Sequence, residues 1–174
     1  MKLVLLAGGI GAGKSSAANA ASDRAGIIVV KMRGVLSLVT GADPSDRAEM
    51  QRRAAELEHQ TDGRWLVNYL TALPEQGPVI VDAVRTVRQA RAAVDAFEYA
   101  RVIYLDADET NRRQRYELGG AIDQMKATSS FDAAMAHPTE LEALRIRDVA
   151  DRVIDTNSIG VLAVADLLIA ELHG

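Results

Sequence analysis

A chain of 174 residues, 48% hydrophobic and 25% charged, is long enough for one domain that buries about 70% of its unfolded surface. Its net charge of −4 argues against a main surface that grips duplex nucleic acid, since neutralising phosphates takes a basic face. With no cysteine, it has no disulfide staple, thiolate metal site or cysteine nucleophile.

The chain opens on an aliphatic run, residues 2–6, too short for a signal peptide and leading into glycines and Lys14 instead of a cleavage site. No stretch approaches the ~20 apolar residues of a membrane span, so a cytoplasmic protein without membrane partners is expected. The run reads as a first strand and passes into Gly8-Gly9-Ile10-Gly11-Ala12-Gly13-Lys14-Ser15, a full G-x-x-x-x-G-K-[ST] match. Glycines allow a tight turn whose N–H groups point inward at phosphate oxygens. The helix that starts near Lys14 adds its positive end to the same spot. Lys14 is placed to bridge β- and γ-phosphates, the Ser15 hydroxyl to ligate Mg²⁺, and the whole loop Gly8 to Ser16 to hold the nucleotide.

Further strands are expected at 27–30, 79–82, 101–105 and 152–154, all without polar alternation, as in a parallel sheet buried on both faces. Between them lie helical patterns. Asp43-Pro44 reads as cap and first-turn proline of a helix whose Met50, Ala54 and Leu57 share a face. Over residues 46–60 that helix mixes arginines with Glu49, Glu56 and Glu58, a solvated charged face. Trp65, Leu66, Tyr69, Leu70 and Leu73 form the next apolar stripe, and Val87, Ala90, Val94 and Phe97 another. Residues 161–172 form a last apolar helix. The stretch 119–137 starts Gly119-Gly120, contains Lys126 and lacks a long stripe, which suits either a hinged lid or a surface loop. His59, His137 and His173 have no partners at metal-ligand spacing and read as structural. Strands alternating with helices give a three-layer α/β fold over residues 1–174.

The order of these features along nearly the whole chain resembles the small nucleotide-kinase branch of the P-loop proteins, which includes nucleoside monophosphate kinases and dephospho-coenzyme A kinases. Asp82-Ala83-Val84-Arg85 is similar to their acid-to-arginine element after strand three. Arg112, Arg113 and Arg115 resemble the arginine-bearing helix that opens their lid. Val153-Ile154-Asp155-Thr156-Asn157 is similar to the segment beside the adenine ring, which makes Asn157 a nucleotide contact. The resemblance implies a five-stranded parallel sheet of order 2-3-1-4-5, ATP and Mg²⁺ as cofactors, and a small-molecule partner. No Asn-Lys-x-Asp element points to a regulatory GTPase.

Phosphoryl transfer demands positioning and charge neutralisation. Asp82 suits a magnesium-water ligand, a base for an acceptor hydroxyl, or a helix cap. Arg85 suits a bidentate grip on an acceptor phosphate, or the surface. Arg112 and Arg115, three apart, share a helix face and are expected on the nucleotide, with Arg113 in solvent. Hydroxyl kinases of this branch often carry an acid after strand two, where this chain has Lys31-Met32-Arg33. Two cations there suit an anion, so Arg33 joins Arg85 as a phosphate clamp. The expected activity is transfer of the ATP γ-phosphoryl group to a nucleotide-like acceptor such as a nucleoside monophosphate. A hydroxyl acceptor (dephospho-coenzyme A, a sugar, a hydroxymethylated base in nucleic acid) and a slowly hydrolysing switch are the rivals.

Overall fold

The computed structural model describes residues 1–74, 77–120 and 130–174. Strands β1 (Lys2–Gly8), β2 (Ile28–Lys31), β3 (Val79–Asp82), β4 (Tyr99–Asp106) and β5 (Arg152–Asp155) form one parallel sheet of order β2-β3-β1-β4-β5. This is the topology expected from the sequence. β1 lies at the centre, fully buried from Leu3 to Ala7, because its residues serve two cores at once. Leu3, Leu5 and Ala7 face one core with Val81, Val102 and Tyr104, while Val4 and Leu6 face the other with Ile80, Ile103 and Leu105. A strand that must be apolar on both sides shows no alternation.

Helices α1 (Lys14–Ala25) and, last in the chain, α9 (Val161–His173) cover the face of Val4 and Leu6. Ala17, Ala18 and Ala21 line α1's buried side, and their small size lets it lie close to the sheet. α2 (Met32–Thr40) and α3 (Arg47–Thr61) leave the sheet to build a satellite cluster of Leu36, Ala42 and Met50. α4 (Arg64–Thr71) and α5 (Val87–Ala96) cover the opposite face through Trp65, Leu66, Leu70, Ala90 and Ala93. α6 (Glu109–Gly120), α7 (Phe131–Met135), α8 (Pro138–Arg145) and a 3₁₀ turn (Ile146–Val149) lead to β5.

Three expectations shift. The cap of α3 is Asp46, whose carboxylate accepts from the Glu49 N–H at 2.9 Å. Asp43 is not available for capping, since its Oδ1 accepts from both the N–H and the hydroxyl of Ser45. On α5 the buried face runs through Gln89, Ala90 and Ala93, and Val94 is 43% exposed. One residue turns a helix by about 100°, enough to carry Val94 off the core side. In the stretch 119–137, Phe131 is buried edge-on against Tyr116 with ring centroids 5.8 Å apart, so residues from 131 belong to a packed helix. Of the stretch 119–137, expected as a lid or a surface loop, residues 121–129 with Lys126 lie outside the described residues.

Replacing Asp46 by alanine should lower the unfolding free energy by about 1 kcal/mol in urea denaturation. The same change at Asp43 should cost less than half as much; equal losses would return the cap to Asp43.

Candidate active site

β1 ends at Gly8, and the following loop delivers Gly13 as the cap of α1. Gly11 has φ 80°, which side-chain-bearing residues avoid, and a Cβ there would strike the backbone carbonyl of Arg112. A Cβ on Gly9 would strike the Arg112 guanidinium. Gly11 therefore serves the close approach of the α6 backbone as well as the turn, while Gly9 leaves space for the Arg112 side chain.

Lys14 heads α1 with its ammonium folded back under the loop, donating to the Gly8 carbonyl at 2.7 Å and the Gly9 carbonyl at 2.8 Å. It is 9% exposed. Burial, reinforced by the Arg85 charge, pulls its pKa down to about 8, while Glu140 and Asp82 oppose that fall. Ser15 and Ser16 stand exposed at the same helix end.

Asp82 closes β3, in register with Leu6 of β1, and is 7% exposed. Strand adjacency thus sets its carboxylate beside the loop that follows β1. Three residues on, the Arg85 N–H donates to Gln89 Oε1 at 3.0 Å, and its guanidinium Nη1 is paired with the carboxylate of Glu140 on α8. Glu140 is 4% exposed, and its Oε2 has no hydrogen-bond partner. Gln89 also donates from Nε2 to Glu58 Oε2 at 2.9 Å; Trp65 Nε1 donates to the same oxygen at 3.0 Å and the Thr86 hydroxyl to Oε1. Glu58 is therefore not on the solvated face expected for it: it ties α3 to the segment that carries Asp82 and Arg85.

A cleft of about 1190 Å³ joins these groups. One end is lined by the loop, Arg115, Thr156, Ile159 and Val161; the other by Lys31, Met32, Arg33, Leu36, Met50 and Trp65. Small-ligand pockets span about 300–1,000 Å³, so this cleft is somewhat above the usual range for a single ligand. Arg33 and Lys31 are exposed at this second mouth and make no ion pair among the described residues.

The α6 arginines part company. Arg115 donates to the Thr156 hydroxyl at 3.0 Å and carbonyl at 2.7 Å, at the cleft wall. Arg112 lies outside the lining, with Nη1 3.4 Å from Met135 Sδ and its charge over the Phe131 ring. Arg113 stays at the solvent surface, as expected, where it bonds Asp132 at 2.6 Å and Glu109 at 2.8 Å and so ties α6 to α7. Asn157 also lies outside the lining: its Oδ1 accepts from the Asp108 N–H at 2.9 Å and from Asn111 at 3.0 Å, joining β5 to the start of α6. His137 caps α8, its Nδ1 accepting from the Thr139 N–H.

Among the described residues no three acidic, histidine or cysteine side chains gather around a possible metal. The Ser15 hydroxyl and Asp82 carboxylate nevertheless line the cleft as hard oxygen donors, and fit a Mg²⁺ that arrives with phosphates and water as its other ligands.

A family model described as an AAA domain matches residues 4–136. A search of curated proteins gives no match. Among solved structures, shikimate kinase from Acinetobacter baumannii, in complex with shikimate, aligns over 97% of this chain and 91% of its own, at 18% identity and TM-score 0.63. APS kinase from Mycobacterium tuberculosis, in complex with AMPPNP and APS, aligns over 99% and 98%, at 20% identity and TM-score 0.59. An uncharacterized protein from Eubacterium ventriosum aligns over 100% and 99%, at 13% identity and TM-score 0.60. The chain belongs to this AAA-domain family, and its fold is that of the P-loop kinases.

Proposed function

We propose that this protein is an ATP-dependent phosphotransferase that moves the γ-phosphoryl group to a small, phosphate-bearing, nucleotide-like acceptor. The observation that carries the reading is convergence. Lys14, Asp82 and Arg85 meet at one end of the sheet, in a cleft that continues from the phosphate-binding loop to a second mouth bearing Lys31 and Arg33. The two structural neighbours named for small-molecule substrates, shikimate and APS, support a kinase of the same general kind.

In this reading the loop amides and the positive end of α1 receive the triphosphate, and Lys14 leaves the Gly8 and Gly9 carbonyls to bind its oxygens. Mg²⁺, held through Ser15 and Asp82, neutralises charge on the phosphates. Arg115, with Ile159 and Val161 nearby, offers a shelf for the base. Arg85 and Arg33 hold the acceptor phosphate and orient it toward the γ-phosphorus. Arg112 acts from behind the loop. A compartment that supplies ATP, the cytoplasm, goes with this reading; no helix among the described residues is long and apolar enough to cross a membrane.

One observation favours a second reading. Asp82 is a buried carboxylate at the cleft, and in this reading it takes a proton from an acceptor hydroxyl. A coupled ADP-release screen over monophosphates, dephospho-coenzyme A, sugars and oligonucleotides separates the two. Stimulation by monophosphates supports the first reading, and stimulation by dephospho-coenzyme A, a sugar or an oligonucleotide supports the second, unless Asp82→Asn retains that turnover. ADP release indifferent to every acceptor contradicts both.

Lys14→Ala should cut acceptor-stimulated turnover by about 10²-fold or more while circular dichroism stays unchanged; full turnover would refute the cradle. The lowered pKa also predicts a proton linkage. Empty Lys14 is largely neutral at pH 9, and bound triphosphate restores its charge, so binding there takes up close to one proton. At pH 6.5 the lysine is charged before and after, and contributes no uptake. Nucleotide affinity therefore falls as pH rises above about 8. Calorimetry in buffers of different ionisation enthalpy measures the uptake, and Lys14→Arg should abolish it.

A further inference from the structure

Arg85 is fixed at both ends. Its main-chain N–H donates to Gln89 Oε1, and the nitrogen of the same side-chain amide donates to Glu58. Its guanidinium is held through Nη1 by Glu140, from a helix 55 residues further along the chain. No other hydrogen bond to the guanidinium is made among the described residues, so Nε and Nη2 remain open. The Arg85 side chain is 37% exposed and lines the cleft, whereas the Glu140 side chain is 5% exposed. The carboxylate grips one arm from the protein side and leaves the other donors free for a ligand.

Glu140 has little structural reason to be there. Among the described residues one of its carboxylate oxygens is buried without a partner, and Arg85 is the side chain that bonds the other. A buried carboxylate oxygen left unpaired costs stability, and an apolar residue of similar size would fill the space without that loss. Proximity to the start of α8 would be served equally well by an exposed acid.

From this geometry we infer that Glu140 is the positioning residue of Arg85: it aims the guanidinium at the anion that enters the acceptor end of the cleft. It touches neither reactant; its charge also favours the charged form of Lys14, but its effect on the acceptor anion passes through Arg85. This inference rests on the phosphotransfer reading, in which Arg85 meets a phosphate. Planar guanidinium recognition depends on orientation, so an arginine held in advance loses less freedom on binding.

A double-mutant cycle tests it. Inorganic phosphate is titrated onto protein saturated with AMPPNP–Mg, and binding is followed by the emission of Trp65, the single tryptophan, which lines the cleft. Glu140→Ala should raise the phosphate Kd about tenfold with Arg85 present and less than about twofold in an Arg85→Ala background. Glu140→Gln keeps an acceptor for Nη1 and should recover part of the loss. If Glu140→Ala does not fold, Glu140→Gln takes its place, with a loss of about threefold that vanishes without Arg85. Equal losses in both backgrounds, or no loss, overturn the positioning role. If the unaltered protein fails to bind AMPPNP–Mg at all, the phosphotransfer reading falls and this inference falls with it; binding of AMPPNP–Mg with Arg85-independent losses sinks the inference alone.

Discussion

The site is organised around a buried ammonium group that lacks a full counter-charge. Lys14 has three N–H donors, and two carbonyls of its own loop take two of them. Carbonyl dipoles satisfy geometry but do not neutralise a charge withdrawn from water, and the nearby Arg85 makes the charged state still less favourable. The sign has a consequence for stability. Between about pH 8 and the ordinary lysine value of 10.5, the unfolded chain holds a proton that the empty fold has released, so the empty fold gains stability as pH rises through that window. Below it, the fold carries the full cost of a charged, desolvated lysine. In the proposed reading, an anion bound in the loop offsets that cost.

Sheet order supplies the rest. With β1 between β3 and β4, the loop after β1 has Asp82 at one side and α6 at the other. The α6 backbone comes so close that Gly11 has no room for a side chain. Glu58 and Gln89 then carry the position of Asp82 and Arg85 across to α3, on which the second mouth of the cleft is built. The two ends of the cleft are therefore mechanically joined: a shift of α3 acts on the same side chains that hold Arg85 by its backbone.

The strands and the loop were legible because each is a local property of a few residues. A run such as Leu3 to Ala7 can only be apolar throughout if both its faces are covered, and the glycine–lysine–serine spacing is contained within eight residues. Capping went astray by three residues because Asp43 and Asp46 look alike until Ser45 occupies one of them. Glu58 and Glu140 were missed for a different reason. Their partners lie 28 and 55 residues away, and an acid on a charged helix gives no local sign of facing inward. A glutamate beside a tryptophan's N–H on the next helix was the one available hint. Arg112, Arg113 and Arg115 illustrate the limit of helical spacing: it groups residues on a face, but the neighbours Phe131, Asp132 and Thr156 decided where each one went.

The most direct measurement is a crystal structure with AMPPNP and Mg²⁺ bound. The triphosphate should sit in the loop between Gly8 and Ser16, with the Lys14 ammonium moved off the Gly8 and Gly9 carbonyls onto phosphate oxygens. A triphosphate bound elsewhere, or a Lys14 still held by those two carbonyls beside an occupied loop, would contradict the account.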